Sequence, residues 1–189
     1  MNAPTAANIR DVSLEALSVL SSDLPGLAAP AVRLRDQRSF RDNLGQFATG
    51  VVLVTADTGD GLVGMTVNSF TSVSLDPSLV AFCSMAGSET WKKLREVGSF
   101  AVTMLRSHQR DVSSLFAHSG ADKFGGLEWT RTPAGHPILP DSLGWIDASV
   151  DQVHRAGDHD LIVARANNWS EPQSGEPLVF FMGQYARLS

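Results

Sequence analysis

The stretch Gly64-Met65-Thr66-Val67-Asn68-Ser69-Phe70-Thr71-Ser72-Val73-Ser74-Leu75-Asp76-Pro77-Ser78-Leu79-Val80-Ala81-Phe82-Cys83 decides how the rest of the chain is read. It opens on a glycine, which lets another group approach the backbone closely. Thr66, Asn68, Ser69, Thr71, Ser72 and Ser74 then supply hydrogen-bond donors and acceptors without charge. Asp76-Pro77 marks a turn, and Leu79 to Cys83 is an apolar run of strand length. A Ser/Thr-rich β-hairpin with one wet face explains the alternation. A polar planar ligand explains it too, because buried polar groups need partners.

Working outward, Asp36 is a candidate N-cap, and Phe40, Leu44 and Phe47 recur at helical spacing, which predicts a helix near 37–48. Val51 to Thr55 is a β-branched strand, Asp57 to Gly61 a turn, and Leu62 to Val67 the returning strand. Residues 1–35 read as an N-terminal extension, partly disordered or packed on a partner subunit, with a short amphipathic helix over Val12 to Leu20. Pro25, Gly26 and Pro30 stop that helix from extending. The domain proper is 36–189.

On the other side, Ser88 caps a helix through Leu94, whose free N–H groups favour an anion. Ser99 to Leu105 is a strand, and Ser107 caps a helix to Ala117 with Val112, Leu115 and Phe116 inward. Leu127 to Pro140 reads as loop. Further strands are predicted over Trp145 to Val153, Leu161 to Ala166 and Leu178 to Leu188. About seven strands joined mostly by turns predict a mainly β fold, a closed antiparallel barrel with peripheral helices.

At 189 residues the chain is read as one domain large enough to fold without disulfides. Its net charge of −5 argues against nucleic acid and anionic membrane surfaces as partners. Cys83 is the single cysteine, which fits a cytoplasmic location. At the end of an apolar strand it reads as an inert thiol. No apolar run reaches the ~18 residues of a membrane span. Asp11 and Glu15 interrupt any signal-peptide core. The five histidines are scattered without carboxylates at ligand spacing, so no metal site is expected. There is no dinucleotide-binding glycine loop and no Walker sequence.

The glycine, Thr66, Asn68-Ser69-Phe70 and Ser72-Val73-Ser74-Leu75-Asp76-Pro77 resemble the flavin-binding segment of the flavin reductase-like family, the FMN-binding split barrels. Phe47-Ala48-Thr49-Gly50-Val51, Lys123-Phe124 and Gly157-Asp158-His159 resemble the same family, so the likeness covers roughly 36–188. Many members are reductase components of two-component flavin monooxygenases.

The resemblance implies that Met65, Thr66, Asn68 and Ser69 contact the isoalloxazine ring and that Cys83 and Ser84 lie by the ribityl chain. It places Ser88 and Thr90 at the phosphate, with Lys123 and Phe124 closing that end. His159 would lie near flavin and nicotinamide and serve catalysis, although from its local sequence alone it reads as a structural turn histidine. Phe181, Met182 and Gly183 would face the nicotinamide, with Met182 standing where many relatives carry a polar or basic residue. The implied activity is an NAD(P)H-dependent flavin reductase, passing hydride from NADH or NADPH to FMN or FAD. Reduced flavin would go to a separate flavin-dependent oxygenase, and the protein would be a homodimer. A flavoprotein with tightly bound FMN, acting as an oxidase or as a non-catalytic flavin binder, stays open.

Overall fold

The computed structural model describes residues 36–188 apart from Ser119 and Ala121. The 1–35 extension and its expected helix lie outside the described residues. The chain divides into two units, Met1–Phe40 and Arg41–Ser189. In the first, the Asp36 carboxylate accepts from the Ser39 N–H at 2.7 Å, the expected N-cap geometry. Helix α1 runs over Gln37–Leu44 and is shorter than expected. Gly45 and Phe47 follow it in a tight turn, and Leu44 and Phe47 stay exposed.

The second unit is mainly β. Its strands are β1 (Thr49–Gly50), β2 (Val52–Asp57), β3 (Leu62–Val67), β4 (Thr71–Leu75) and β5 (Ser78–Met85). Helix α2 (Glu89–Val97), β6 (Ser99–Met104), a 3-10 turn (Ser107–Gln109) and α3 (Arg110–Ala117) follow. Then come β7 (Thr130–Arg131), β8 (Pro137–Ile138), β9 (Gly144–Ala156), β10 (His159–Trp169), β11 (Val179–Phe181) and β12 (Gln184–Ala186). The main sheet has the order β3-β2-β6-β9-β10-β5-β4, and β1-β11-β12 form a second one. All of these pairs are antiparallel. Among the described residues no hydrogen-bonded ladder joins β3 to β4.

β2 explains the layering. Val52, Val54 and Ala56 face one core with Val80, Phe82, Phe100, Val102, Ile162 and the α2 residues Trp91 and Leu94. Val51 and Leu53 face a second core with Leu105, Phe116 and Leu178. The strand is buried on both faces, so its sequence is a continuous apolar run instead of an alternating one. The Ser/Thr run of β4 is an exposed edge strand with a register shift between Ser72 and Ser74.

Three expectations change. Ser107 opens the 3-10 turn and does not cap α3, and the Arg106 N–H donates to Gln109 Oε1 at 2.8 Å instead. In α3, Ser113 and Phe116 are buried, whereas Leu115 is 38% exposed because it sits off their shared face. The strand expected over Leu178 to Leu188 is a hairpin, turning at Met182 and Gly183 with φ of 50° and 76°. Both positions are left-handed, as a type I′ turn requires, so a bulky residue hides a turn signal that Asn-Gly would have shown. The loop over 127–140 also contains the small β7–β8 hairpin.

Candidate active site

β3 alternates two jobs. Met65 packs toward the first core. Gly64 and Thr66 face α3. A Cβ on Gly64 would stand 2.9 Å from Thr55 Cγ2 and 3.0 Å from a Phe116 ring carbon. The close approach its sequence suggested is therefore that of a helix. The Thr66 hydroxyl donates to the Ser113 carbonyl at 2.8 Å. Beyond β3, Asn68 and Ser69 are exposed, and Ser69 Oγ accepts from the Cys83 N–H at 2.9 Å, pinning this segment to β5.

The turn from β5 into α2 gathers the second group. Ser84 is buried, its hydroxyl 3.8 Å from Met65 Sδ, while Cys83 is half-buried. Ser88 caps α2 as expected, its Oγ accepting from the Trp91 N–H at 3.2 Å. Thr90, Lys93, Lys123 and Phe124 line a hollow of about 370 Å³ with Leu62, Val63 and Gly64. Burial pulls the Lys123 pKa below its ordinary value, and its ammonium lies 5.8 Å from the Phe116 ring centre. Phe124 packs on Phe116 and Trp129, each 4.9 Å away between ring centres. Lys93 escaped the sequence reading. Its signal is position: Thr90 and Lys93, three apart, share one helix face.

A larger hollow of about 930 Å³ lies at the other end of the β3 segment. Phe47, Thr49, Asn68, Ser69, Phe180 and Met182 are among its walls, with Gly183. Thr49 Oγ1 is buried there without a hydrogen-bond partner. Phe180 takes the wall position, and Phe181, adjacent in the strand, points the other way. The Met182 N–H donates to the Gly45 carbonyl at 2.8 Å, fixing the I′ turn beside the α1 exit.

His159 begins β10 after a two-residue turn in which Gly157 takes φ 63°, as a type II′ hairpin needs. Its Nδ1 lies 2.8 Å from Asp158 Oδ1, and that hydrogen bond holds the Asp158 carboxyl below its ordinary pKa. His159 sits directly across the ladder from Met85, and the Asp158 carbonyl accepts from the Ala86 N–H at 3.1 Å. The histidine therefore neighbours the β5–α2 turn, although sequence distance suggested separation from that helix. It is not among the walls of the large hollow.

Residues 44–189 match the flavin reductase like domain. The chain belongs to this family. It is 40% identical to the flavin-dependent monooxygenase reductase subunit HsaB of Rhodococcus jostii, over 88% of this chain and 86% of the relative. It is 39% identical to the FMN reductase (NADH) SmoA of Agrobacterium fabrum, over 82% and 87% of the two chains. The crystal structure of nitrilotriacetate monooxygenase component B from Mycobacterium thermoresistibile superposes with a TM-score of 0.79 at 39% identity, covering 82% of this chain and 87% of that one.

As a flavin reductase-like domain, this chain offers the donor set a flavin needs. Lys93 and Lys123 meet the N-terminus of α2 at one hollow, where Glu89 and Asp122 also stand, and aromatic walls line the other. Neither end holds a nucleophile paired with a base. Among the described residues, no group of acidic, histidine or cysteine side chains could hold a metal.

Proposed function

We propose that this protein is an NAD(P)H:flavin oxidoreductase that reduces FMN or FAD and supplies the reduced flavin to a separate monooxygenase. One observation carries the reading. Gly64 lines the hollow that holds Lys93 and Lys123, and Asn68 and Ser69 line the more apolar one. The five residue steps from Gly64 to Ser69 span at most ~17 Å, most of it along β3. That is the reach of a flavin from phosphate to ring, so the ring lies against Met65, Thr66, Asn68 and Ser69. The ribityl chain passes Cys83 and Ser84. The phosphate meets Thr90, Lys123 and the missed Lys93 at the α2 N-terminus that Ser88 caps, with Phe124 walling that end.

A flavin held there would supply the hydride-accepting chemistry and a nicotinamide beside it the hydride. The chain's task is to stack the two rings, since positioning alone removes several kcal/mol from a bimolecular barrier. Backbone N–H groups over Thr66 to Ser69 face the charge that grows on the reduced ring. His159 and the Met182-Gly183 turn serve the nicotinamide side, with Phe180 in the wall place expected for Phe181. The relatives' names support NADH as donor and a two-component monooxygenase as setting. A further hollow of about 470 Å³ shares Leu62, Val63 and Lys93 with the phosphate end, which leaves room for the second half of FAD.

The reading extends to the whole molecule. Residues 36–189 are the catalytic domain and 1–35 an extension. Met65 and Val67 of β3 pack into the same core as Val80 and Phe82 of β5, which supports a closed split barrel. The protein works as a homodimer in the cytoplasm. Leu44, Phe47, Leu75, Trp169 and Met182 are all more than half exposed, which is much apolar surface for a monomer. Trp91 is buried and Trp129 packs in the second core, Trp145 is half-buried, and Trp169 at 61% exposed is the most open of the four to a partner. Among the described residues no helix is long and apolar enough to cross a membrane.

The test is anaerobic. NADH or NADPH is mixed with FMN, FAD or riboflavin, and both absorbance bands are followed. Many flavins reduced per protein support the reductase. One equivalent marks a prosthetic group, and none marks a flavin-binding protein.

A further inference from the structure

Asp160 breaks the pattern of its own strand. In β10 the buried positions alternate as Asp160, Ile162 and Ala164, and the last two belong to the first core. A carboxylate on that face is costly unless its oxygens are bonded. Asp160 is 8% exposed. Its Oδ2 accepts from the indole Nε1 of Trp91 at 2.9 Å. Trp91 is 2% exposed and stands edge-on to Phe82, so its ring direction is fixed by packing. The other oxygen has a 3.5 Å contact to the exposed Arg155, a pair of little energetic weight.

The position of this bond matters. Trp91 is in the first turn of α2, directly after Thr90, and its own backbone N–H donates to the Ser88 cap. Asp160 directly follows His159. The bond therefore joins the helix end assigned to the flavin phosphate to the turn assigned to the nicotinamide. A second link runs beside it, from the Ala86 N–H to the Asp158 carbonyl.

We propose that Asp160 is a positioning residue that holds His159 and the phosphate-binding end of α2 in one fixed relation through Trp91. The inference rests on the flavin reductase reading given above. A rigid tie of this kind suits a reaction in which an error of about 1 Å between the rings costs on the order of a hundredfold in rate. An apolar residue at 160 would pack as well as Ile162 and Ala164 do, so packing alone does not call for the acid.

Two substitutions separate positioning from stability. Asp160→Asn keeps an acceptor for the indole and loses only the weak charge contact. Asp160→Leu fills the site and removes the acceptor. Flavin titrations with FMN and riboflavin, stopped-flow flavin reduction and melting curves are measured for both and for the wild type. Asp160→Leu is expected to lose about tenfold in flavin reduction rate and to narrow the FMN-over-riboflavin preference, with Asp160→Asn near wild type. Trp91→Phe, which removes the donor and keeps an aromatic ring, should reproduce the Leu phenotype and add nothing to it in the double variant. Wild-type reduction rate and flavin preference in Asp160→Leu, whatever its melting temperature, would overturn the proposal. Equal loss in the Asn and Leu variants would overturn it too. A wild-type protein that reduces no flavin would instead remove the underlying reading.

Discussion

The Thr66 hydroxyl donates to the carbonyl oxygen of Ser113 at 2.8 Å, so the signature threonine of the polar stretch ties β3 to α3. Ser113 in turn shares its hydroxyl with the Tyr185 phenol at 2.9 Å, linking α3 to the C-terminal hairpin. Thr66→Val keeps the shape and removes that bond. A loss of about 1 kcal/mol is expected. In a protein of this length it lowers the melting temperature by about 2–4 °C. Flavin affinity should fall with it, because α3 backs the strand under the ring. A variant as stable as the wild type would show the bond to be dispensable.

The phosphate end separates two kinds of polar residue. Lys93→Ala should weaken FMN by ten- to a hundredfold, since a hydrogen bond to a charged group is worth about 1.5–3 kcal/mol, and leave riboflavin unchanged. Thr90→Val should act in the same direction. Ser88→Ala differs, because its hydroxyl already caps α2. It should cost about 1 kcal/mol of stability and, by loosening that helix end, weaken FMN more than riboflavin. Equal losses of FMN and riboflavin in Lys93→Ala would take Lys93 out of the phosphate site.

His159→Ala should slow hydride transfer or raise the NADH requirement. The imidazole is 42% exposed and held by Asp158, so little packing is lost with it. Its place across from Met85 puts it beside the β5–α2 turn, and a small change in FMN affinity should accompany the kinetic one. Stopped-flow reduction beside a flavin titration measures both. Unaltered reduction kinetics would leave His159 a turn residue.

A pH response is expected from His136, which lines none of the three hollows. It is 5% exposed, with Nε2 3.0 Å from Ser99 Oγ, and burial lowers its pKa below 6.5 against the opposing pull of Asp147 and Asp57. The unfolded chain takes up a proton near 6.5 while the folded one stays neutral. Stability therefore falls as pH drops through that value toward the lower folded pKa. The melting temperature should fall more between about pH 7.5 and about pH 5.5 in the wild type than in His136→Gln. Parallel curves would assign the acid response to other groups.

The local signals in the sequence were strong where a single residue's backbone decides the structure. Asp36 and Ser88 cap helices as their side chains predict, and Gly157 turns the β9–β10 hairpin. The β-branched run at Val51 to Thr55 became β2 because its propensity and its length are those of a strand buried on both faces. The strands and the polar stretch between Gly64 and Cys83 were legible for the same reason. Tertiary structure decided the partners. Gly64 is required by Phe116, some fifty residues away, which no local pattern encodes. Lys93 joins Lys123 only because α2 packs beside β3. Met182 turns a hairpin that its side chain disfavours, held by the Gly45 carbonyl. Asp160 reads as an ordinary turn acid until the sheet aims it inward at Trp91. Composition and period set each element's preference, but which side chains meet depends on strand register and helix packing, and those are properties of the whole chain.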